Sequence, residues 1–178
     1  FVCDEMTWQD FKCQCNSVFV TPYNWRKVFN DFQPDLFFCE SAWSGINEYP
    51  NCWRGRIYKS KNIRYENRRE LMKILDYCRK KNIPTAYWNK EDPTFWGNES
   101  YNFVDTALHF DHVFTTSQEC ISKYKELGHT SVHVLMFGFS PDIFFYDPSV
   151  KKEEKAVFAG SWYADQPKRC ADMEALFN

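Results

Sequence analysis

The chain has 178 residues, of which 44% are hydrophobic, so it is long enough to form one sizeable core. Its net charge of −2, with acids and bases interspersed, argues against a general nucleic-acid or membrane-binding surface. No apolar run reaches the roughly 20 residues that a transmembrane helix needs.

Apolar runs and helical periodicities alternate along the chain. Strands are predicted at 1–4, 17–21, 35–40, 84–88, 111–115, 132–135 and 156–160. Helices are predicted at 22–32, 66–81, from Asn98 or Ser100 to 110, at 118–127 and from Pro167 onward, while 6–16 is predicted to be irregular. The stretch 35–40 is apolar on both faces. The pattern therefore predicts an α/β fold with a doubly wound, mostly parallel, Rossmann-like sheet.

A charged connector near 150–155 divides the chain into two predicted domains. Residues 1–150 form the first, and 151–178 form a linker with the first strand and helix of a second domain. A lone strand–helix unit cannot bury both faces, so we expect most of the second domain to be missing. The irregular stretch 44–61, with two glycines and no periodic apolar residues, predicts a mobile loop.

The eight cysteines predict free thiols rather than disulfide bonds. Cys3 and Cys39 lie in strand-like runs, whereas Cys78, Cys120 and Cys170 lie in helical patterns. This distribution is typical of buried thiols in a cytoplasmic protein. The close cysteine pair at 13–15 and the two histidines at 109–112 lack further ligands at suitable spacing, so no metal is expected.

The most informative stretch is 83–96, IPTAYWNKEDPTFW. Its first half predicts a buried strand, which runs directly into Asn89, Lys90, Glu91 and Asp92. In parallel α/β sheets, ligands bind at the carboxyl ends of the strands, so these residues predict a site. Glu91 or Asp92 would act as a solvated general base, and Lys90 would stabilise a developing negative charge. The alternative is a solvated loop whose charges cap the next helix.

The other predicted strands end at the same edge and supply further candidates. Glu5 is a third candidate for the catalytic base. The candidate substrate-binding residues are Asp4, Glu40, Ser41, Trp43, Trp88, Asn89, Lys90, Thr116, Phe137 and Gly138. Gly160 and Ser161, between a predicted strand and helix, offer backbone N–H groups to the phosphate of a bound nucleotide. For each carboxylate the alternative is a helix cap or an ion pair.

Five motifs follow one another along the chain. They are Asp4-Glu5-x-Thr7, 34–43 (PDLFFCESAW), 84–93 (PTAYWNKEDP), 110–116 (FDHVFTT) and 157–162 (VFAGSW). In this order they resemble the motifs of the CgeB-like bacterial glycosyltransferases, a group related to spore-maturation and teichoic-acid-type glycan enzymes.

The resemblance implies a GT-B architecture, in which two Rossmann-like domains face each other across a cleft. This chain would be the N-terminal, acceptor-side domain, and the missing C-terminal domain would hold most of the nucleotide-sugar donor. The resemblance implies no metal and no cofactor besides that donor substrate. The partners would be the nucleotide sugar and a glycan acceptor of the cell surface or spore, and the fragment alone would be inactive.

Two other functions stay open on sequence grounds. A nucleotide-sugar epimerase uses the same architecture, and fold alone does not exclude it. A non-catalytic glycan-binding module would keep the aromatic and acidic cleft without chemistry. The donor, the acceptor, the linkage, the oligomeric state and any peripheral association with a membrane stay open.

Overall fold

The computed structural model describes residues 1–155, 157–158, 160, 162–164 and 166–177. These residues form an α/β fold around a parallel sheet. The strands, in their order across the sheet, are β1 (Phe37–Glu40), β2 (Thr85–Asn89), β3 (His112–Thr115) and β4 (Val132–Val134). The helices are α1 (Glu5–Phe11), α2 (Trp25–Phe32), α3 (Arg69–Lys81), α4 (Phe103–Ala107), α5 (Cys120–Glu126) and α6 (Pro167–Phe177). The predicted α/β class with a parallel sheet is confirmed, and it is compatible with a Rossmann-like fold.

The sheet has two unequal faces, which we call the helix face and the groove face. Every residue of β1 and β2 is buried, as the apolar runs predicted. Because side chains alternate along a strand, they divide between the faces. The helix face carries Phe37, Cys39, Tyr87 and Val113, which share one core cluster with residues of α2 to α5. The groove face carries Phe38, Ala86 and Trp88, against which Phe1, Phe11, Phe114 and Leu135 pack.

Two extended segments continue the sheet beyond β1. The N–H of Val2 donates to the carbonyl of Phe38, and the N–H of Glu40 donates to Val2, both at 2.9 Å. On the other side, Phe1 bonds in the same parallel pattern to Val18 at 2.7 Å and to Val20 at 2.9 Å. The order across the sheet is therefore 18–20, 1–3, β1, β2, β3, β4. The chain order reverses between residues 1–3 and β1, and such a reversal opens a crevice at the carboxyl ends of the strands.

Three predicted elements need correction. The predicted irregular stretch 6–16 contains α1, because Trp8 and Phe11 pack their rings on Phe1, a tertiary contact that local propensity does not show. Residues 17–21 form no assigned strand, since their backbone bonds to the sheet involve Phe1 alone. The helix expected from Asn98 or Ser100 begins only at Phe103.

The cap of that helix explains the late start. Asn102 accepts a hydrogen bond from the N–H of Asp105 at 2.9 Å and so caps α4. Asn98 instead accepts bonds from the N–H groups of Ser100 and Tyr101, at 2.9 Å and 3.0 Å, which close a turn before the helix. Asn98, which the sequence suggested as a helix cap, therefore stabilises a turn instead.

The loop between β1 and α3 is packed, although its apolar residues follow no helix or strand period. Ile46, Trp53 and Ile57 are at most 2% exposed. The indole N–H of Trp53 donates to the carbonyl of Val20 at 2.7 Å, which fastens the loop to the edge of the sheet. Gly45 has a φ of +136°, and a Cβ there would lie 2.9 Å from Cys52 Sγ, so this glycine is required by both backbone and space.

The chain divides into two compact units, Phe1–Phe144 and Phe145–Asn178. The second contains α6, as the helix predicted from Pro167 onward. Of the predicted strand at 156–160, residues 157, 158 and 160 form no strand, while Ala156 and Ala159 lie outside the described residues. None of the helices in the described part of the chain has the length and hydrophobicity needed to cross a bilayer.

All eight cysteines lie among the described residues and are free, as predicted. Cys3, Cys39, Cys78 and Cys120 are buried, whereas Cys13 and Cys15 are exposed. Burial raises the pKa of Cys78 to about 12, so this thiol stays protonated and behaves as a small apolar side chain.

Candidate functional site at the carboxyl edge of the sheet

The candidate residues at the edge fall into two groups, because the alternation of β1 and β2 continues past the strand ends. Glu40 and Trp88 are register partners and point to the groove face. Lys90 follows Trp88 on that side, with its ammonium 5.7 Å from the centroid of the Trp88 ring. Asn89 pairs in register with Thr115 and points to the helix face. The site predicted as one cluster is thus two clusters on opposite faces.

On the groove face, Glu40 and Lys90 form a buried ion pair. Glu40 is 0% exposed, and Lys90 Nζ lies 2.9 Å from its Oε2. The hydroxyl of Thr7 and the backbone N–H of Asp4 also donate to this carboxylate. Burial raises the pKa of Glu40, and the charge of Lys90 opposes that shift.

The ammonium of Lys90 has one hydrogen-bond donor that no described residue uses. It carries three N–H donors; one is directed at Glu40, and a second lies 3.1 Å from Thr7 Oγ1. Within the part of the chain that the structure describes, no acceptor takes the third. A ligand oxygen placed beside Thr7 would therefore meet a fixed, partly desolvated positive charge.

A groove of about 250 Å³ lies next to this pair, and we call it the sheet-edge groove. Thr7 and Trp88, which flank the ion pair, both line it. Its wall is aromatic on one side, since the rings of Trp88 and Phe137 lie 5.6 Å apart. The remaining lining residues are Met6, Asp10, Phe11 and Gln14 from the α1 region and Leu135, Met136, Gly138, Phe139, Ser140 and Pro141 after β4. The predicted binding residues Trp88, Phe137 and Gly138 are thus brought together.

On the helix face, Asp92 is the centre of a closed hydrogen-bonded cluster. The Asn89 amide donates to Oδ1 at 2.8 Å, and the hydroxyls of Thr115 and Tyr124 donate to Oδ2 at 2.8 Å and 3.1 Å. The Asn89 amide also donates to the Tyr124 hydroxyl at 2.9 Å. Asp92 is 6% exposed, so the expectation that it is solvated is wrong. Burial raises its pKa to about 6, although the hydroxyl donors oppose the shift.

Glu5, the third predicted base, accepts hydrogen bonds from its own chain at both carboxylate oxygens. Its Oε2 accepts the N–H of Asn47 at 2.7 Å, and Gln9 donates to its Oε1. The backbone hydrogen bond from Asn47 lowers the pKa of Glu5 most, so this carboxylate is a weak base.

Glu91 is the predicted base that keeps the most freedom. It is half-buried, and its Oε1 accepts the indole N–H of Trp43 at 2.8 Å, which leaves Oε2 without a donor among the described residues. Burial raises its pKa, against the effect of the Trp43 bond. A desolvated carboxylate with a raised pKa and one free oxygen has the properties of a general base.

The remaining predicted residues organise loops. The carboxylate of Asp4 accepts the N–H groups of Trp43, Ser44 and Gly45 at 2.7–2.8 Å, so Asp4 and Trp43 anchor the start of the long loop. The Ser41 hydroxyl accepts the N–H of Lys90 at 2.9 Å. The Thr116 hydroxyl donates to the carbonyl of Asp92 at 2.9 Å.

The second compact unit contains the predicted phosphate-binding pair. Gly160 lies in an irregular stretch before α6, and Ser161 lies outside the described residues. The predicted strand-to-helix turn, which would have aimed backbone N–H groups at a phosphate, is therefore not formed by Gly160 and its described neighbours.

Sequence reasoning missed the contribution of α1 to the groove and that of Tyr124 to the Asp92 cluster. Thr7 occurs in the quoted motif Asp4-Glu5-x-Thr7, which was a usable signal. The partners of Asp92 could have been separated from those of Lys90 by the period of two along β2, because positions 88 and 90 share a face that 89 does not.

Comparison with known proteins does not identify a family for this chain. No protein-family model matches the chain, and no curated protein or solved structure matches it well enough to identify a relative.

Proposed function

We propose that the sheet-edge groove binds a carbohydrate and that this chain is the acceptor-side domain of a GT-B glycosyltransferase. The observation that supports this best is a groove with aromatic lining residues that lies beside the buried cation of Lys90. Sugars present apolar C–H faces and a rim of hydroxyls, so they suit a wall such as Trp88 and Phe137 beside the polar side chains of Thr7 and Gln14. The spare N–H of Lys90 would donate to a hydroxyl or ring oxygen of the sugar.

In this proposal Glu91, which follows Lys90 at the sheet edge but does not line the groove, serves as the general base for an acceptor hydroxyl that extends from the groove to this edge. Asp92, with both oxygens occupied, holds the loop after β2 in place, and Lys90 balances the charge that develops as the bond to the nucleotide breaks. The nucleotide-sugar donor would be bound mainly by a C-terminal domain, and the acceptor would be a bacterial cell-surface or spore glycan. Catalysis would take place in the cytoplasm, where nucleotide sugars are the donors.

A binding test on the 178-residue chain addresses the groove directly. Mono- and disaccharides would be titrated against labelled protein and followed by NMR chemical-shift changes. Phe137→Ala removes an exposed ring of the groove and is expected to weaken binding by about three- to tenfold. Phe145→Ala removes another exposed ring, outside the groove, and should leave affinity unchanged. Equal affinities in both variants would contradict a carbohydrate site here.

A second function, carbohydrate binding without chemistry, is favoured by the hydrogen bonding of the carboxylates. Asp4, Glu5 and Asp92 all use both oxygens within the chain. The two functions separate in a polypeptide that includes the donor-binding domain. Transfer or hydrolysis of a nucleotide sugar, lost in Glu91→Gln, supports the enzyme; saccharide binding without turnover supports the module.

A further inference from the structure

A second cavity, of about 590 Å³, lies between the long loop and the start of α3. It shares no lining residue with the sheet-edge groove. The guanidinium-bearing residues Arg54, Arg56 and Arg69 line it, together with Tyr65 and two glutamates. We call it the arginine cavity.

The two glutamates do not neutralise these arginines, because each glutamate already forms an ion pair with another cation. Glu66 accepts bonds from Nε and Nη2 of Arg68, both at 2.9 Å, and these bonds lower the pKa of Glu66 to about 2. Arg68 is 2% exposed and therefore belongs to the core rather than to the cavity wall. The buried Arg68 therefore balances the negative charge of Glu66.

Glu70 is held in the same way. Its Oε1 lies 2.6 Å from Lys73 Nζ, and its Oε2 accepts the indole N–H of Trp25 at 3.2 Å and lies 3.6 Å from Arg26. Two cations and an indole thus surround one carboxylate. Glu70 therefore has no unbalanced negative charge with which to neutralise the three cavity arginines.

The three cavity arginines have no carboxylate partner in the part of the chain that the structure describes. Arg56 donates to the Tyr23 hydroxyl at 3.2 Å, which positions the side chain without balancing its charge. A cavity lined by charges of one sign concentrates ions of the opposite sign, because the like charges repel one another. The arrangement is therefore set up for an anion from outside the chain.

The surrounding sequence has the same character. Residues 53–81 carry eleven of the chain's 22 Lys and Arg but only three Asp and Glu, a net charge of +8 in a chain of net −2. The expectation that acids and bases are evenly interspersed is wrong for this segment. A further cavity, of about 360 Å³, shares Arg69 and Glu66 with the arginine cavity and continues along α3 to Arg79. The positive surface thus extends beyond one pocket.

We propose that the arginine cavity binds a phosphate or diphosphate group of a larger ligand. The planar fork of a guanidinium matches the oxygens of a phosphate in a bidentate manner. A diphosphate carries enough charge to balance three guanidiniums, whereas a single carboxylate would leave two of them without a partner. The cavity has room for more than the phosphate group, and Tyr65 offers an aromatic surface to the rest of the ligand. This inference does not depend on the carbohydrate groove.

Titration of the 178-residue chain with pyrophosphate, followed by calorimetry at low ionic strength, tests the site. Arg54→Gln and Arg69→Gln each remove charged hydrogen bonds and should weaken binding by about tenfold or more. Arg64→Gln is the matched control, since Arg64 belongs to the same basic segment but lines neither cavity. It should change affinity less than about twofold, the share expected of a solvent-screened charge that does not line the cavity. Thermal unfolding of each variant checks that the fold is retained.

Vesicles identify the source of the phosphate. Co-sedimentation with phosphatidylglycerol vesicles that pyrophosphate competes away, and that Arg69→Gln abolishes, assigns the site to a lipid headgroup. Pyrophosphate binding without sedimentation assigns it to a dissolved phosphate ligand. The proposal is overturned if pyrophosphate does not bind, or if Arg64→Gln weakens binding as much as Arg69→Gln, because attraction would then be due to overall charge.

Discussion

Glu40 and Asp92 are both buried carboxylates at the carboxyl edge of the same sheet, yet they have different surroundings. Glu40 lies on the groove face with an ammonium as partner, while Asp92 lies on the helix face with one amide and two hydroxyls. The pair of opposite charges therefore lies next to a groove that can take a ligand, whereas the carboxylate with uncharged partners lies in the core. A position at the end of a strand is therefore not enough to predict that a side chain is functional. The face of the sheet to which the side chain points decides whether it can meet a ligand.

The largest effect is expected from breaking the charged pair. Lys90→Met leaves Glu40 buried without its cation, and loss of one partner of a buried pair costs about 3–5 kcal/mol. The deficit should shrink as the pH falls, because without Lys90 the pKa of Glu40 rises further and the protonated acid needs no partner. Urea denaturation across pH measures both quantities. The double variant Lys90→Met/Glu40→Met is the control and should recover most of the stability; a single variant as stable as the wild type would show that the pair is solvated.

The next effect belongs to Asp92 and depends on pH. Its pKa rises from 3.8 to about 6 on folding, so the folded chain binds more protons than the unfolded chain between those values. Stability should therefore fall as the pH rises through this window, by about 3 kcal/mol at most. Glu40 and Glu91, whose pKa values are also raised, contribute in the same direction.

The variant Asp92→Asn isolates this contribution. It has no acid to titrate, so the difference in unfolding free energy between wild type and variant should change with pH across the window. Thermal or urea unfolding at several pH values gives that difference. If it is independent of pH, Asp92 ionises in the folded protein as it does in water, and the closed cluster is contradicted.

These two carboxylates also show what the sequence could predict. The strands and α3 were predicted because apolar runs and a helical stripe, such as Leu71, Ile74 and Leu75, are local signals. The convergence of Glu40, Trp88 and Lys90 followed from parallel topology. The division of 88–92 between faces was also available from the period of two, but the edge was treated as one site.

Other features had no local signal. The helix α1 depends on the contact of Trp8 and Phe11 with Phe1, and the groove depends on residues 135–141 lying near α1. The second is a contact between distant parts of the chain, and the first depends on where the sheet places Phe1; composition and periodicity encode neither. The same applies to Trp53, whose burial against Val20 turned a loop expected to be mobile into a packed one.

A third carboxylate, Asp4, extends the comparison to the loop. Its two oxygens accept three backbone N–H groups, and an asparagine would keep only one accepting oxygen. Asp4→Asn should cost about 1–3 kcal/mol and speed amide exchange at Trp43, Ser44 and Gly45, with little change in β2. Hydrogen exchange read by mass spectrometry or NMR makes the test. In the wild type these amides should exchange slowly, and fast exchange there would restore the expectation of a mobile loop.

The smallest effect on stability is expected at Glu91, the carboxylate with a free oxygen. In Glu91→Gln the side-chain oxygen still accepts from Trp43, so the unfolding free energy should change by less than about 0.5 kcal/mol. If Glu91 is the general base, turnover of a nucleotide sugar should fall by about 10²–10⁴-fold in a polypeptide that carries the donor-binding domain. Asp92→Asn should instead change turnover only in proportion to its effect on folding. Glu48→Gln, an exposed change in the long loop, is the matched control and should alter neither quantity. Normal turnover in Glu91→Gln would show that Glu91 is not the general base. Because the oxygens of Glu5 and Asp92 are already occupied within the chain, the base would then lie outside the three predicted carboxylates.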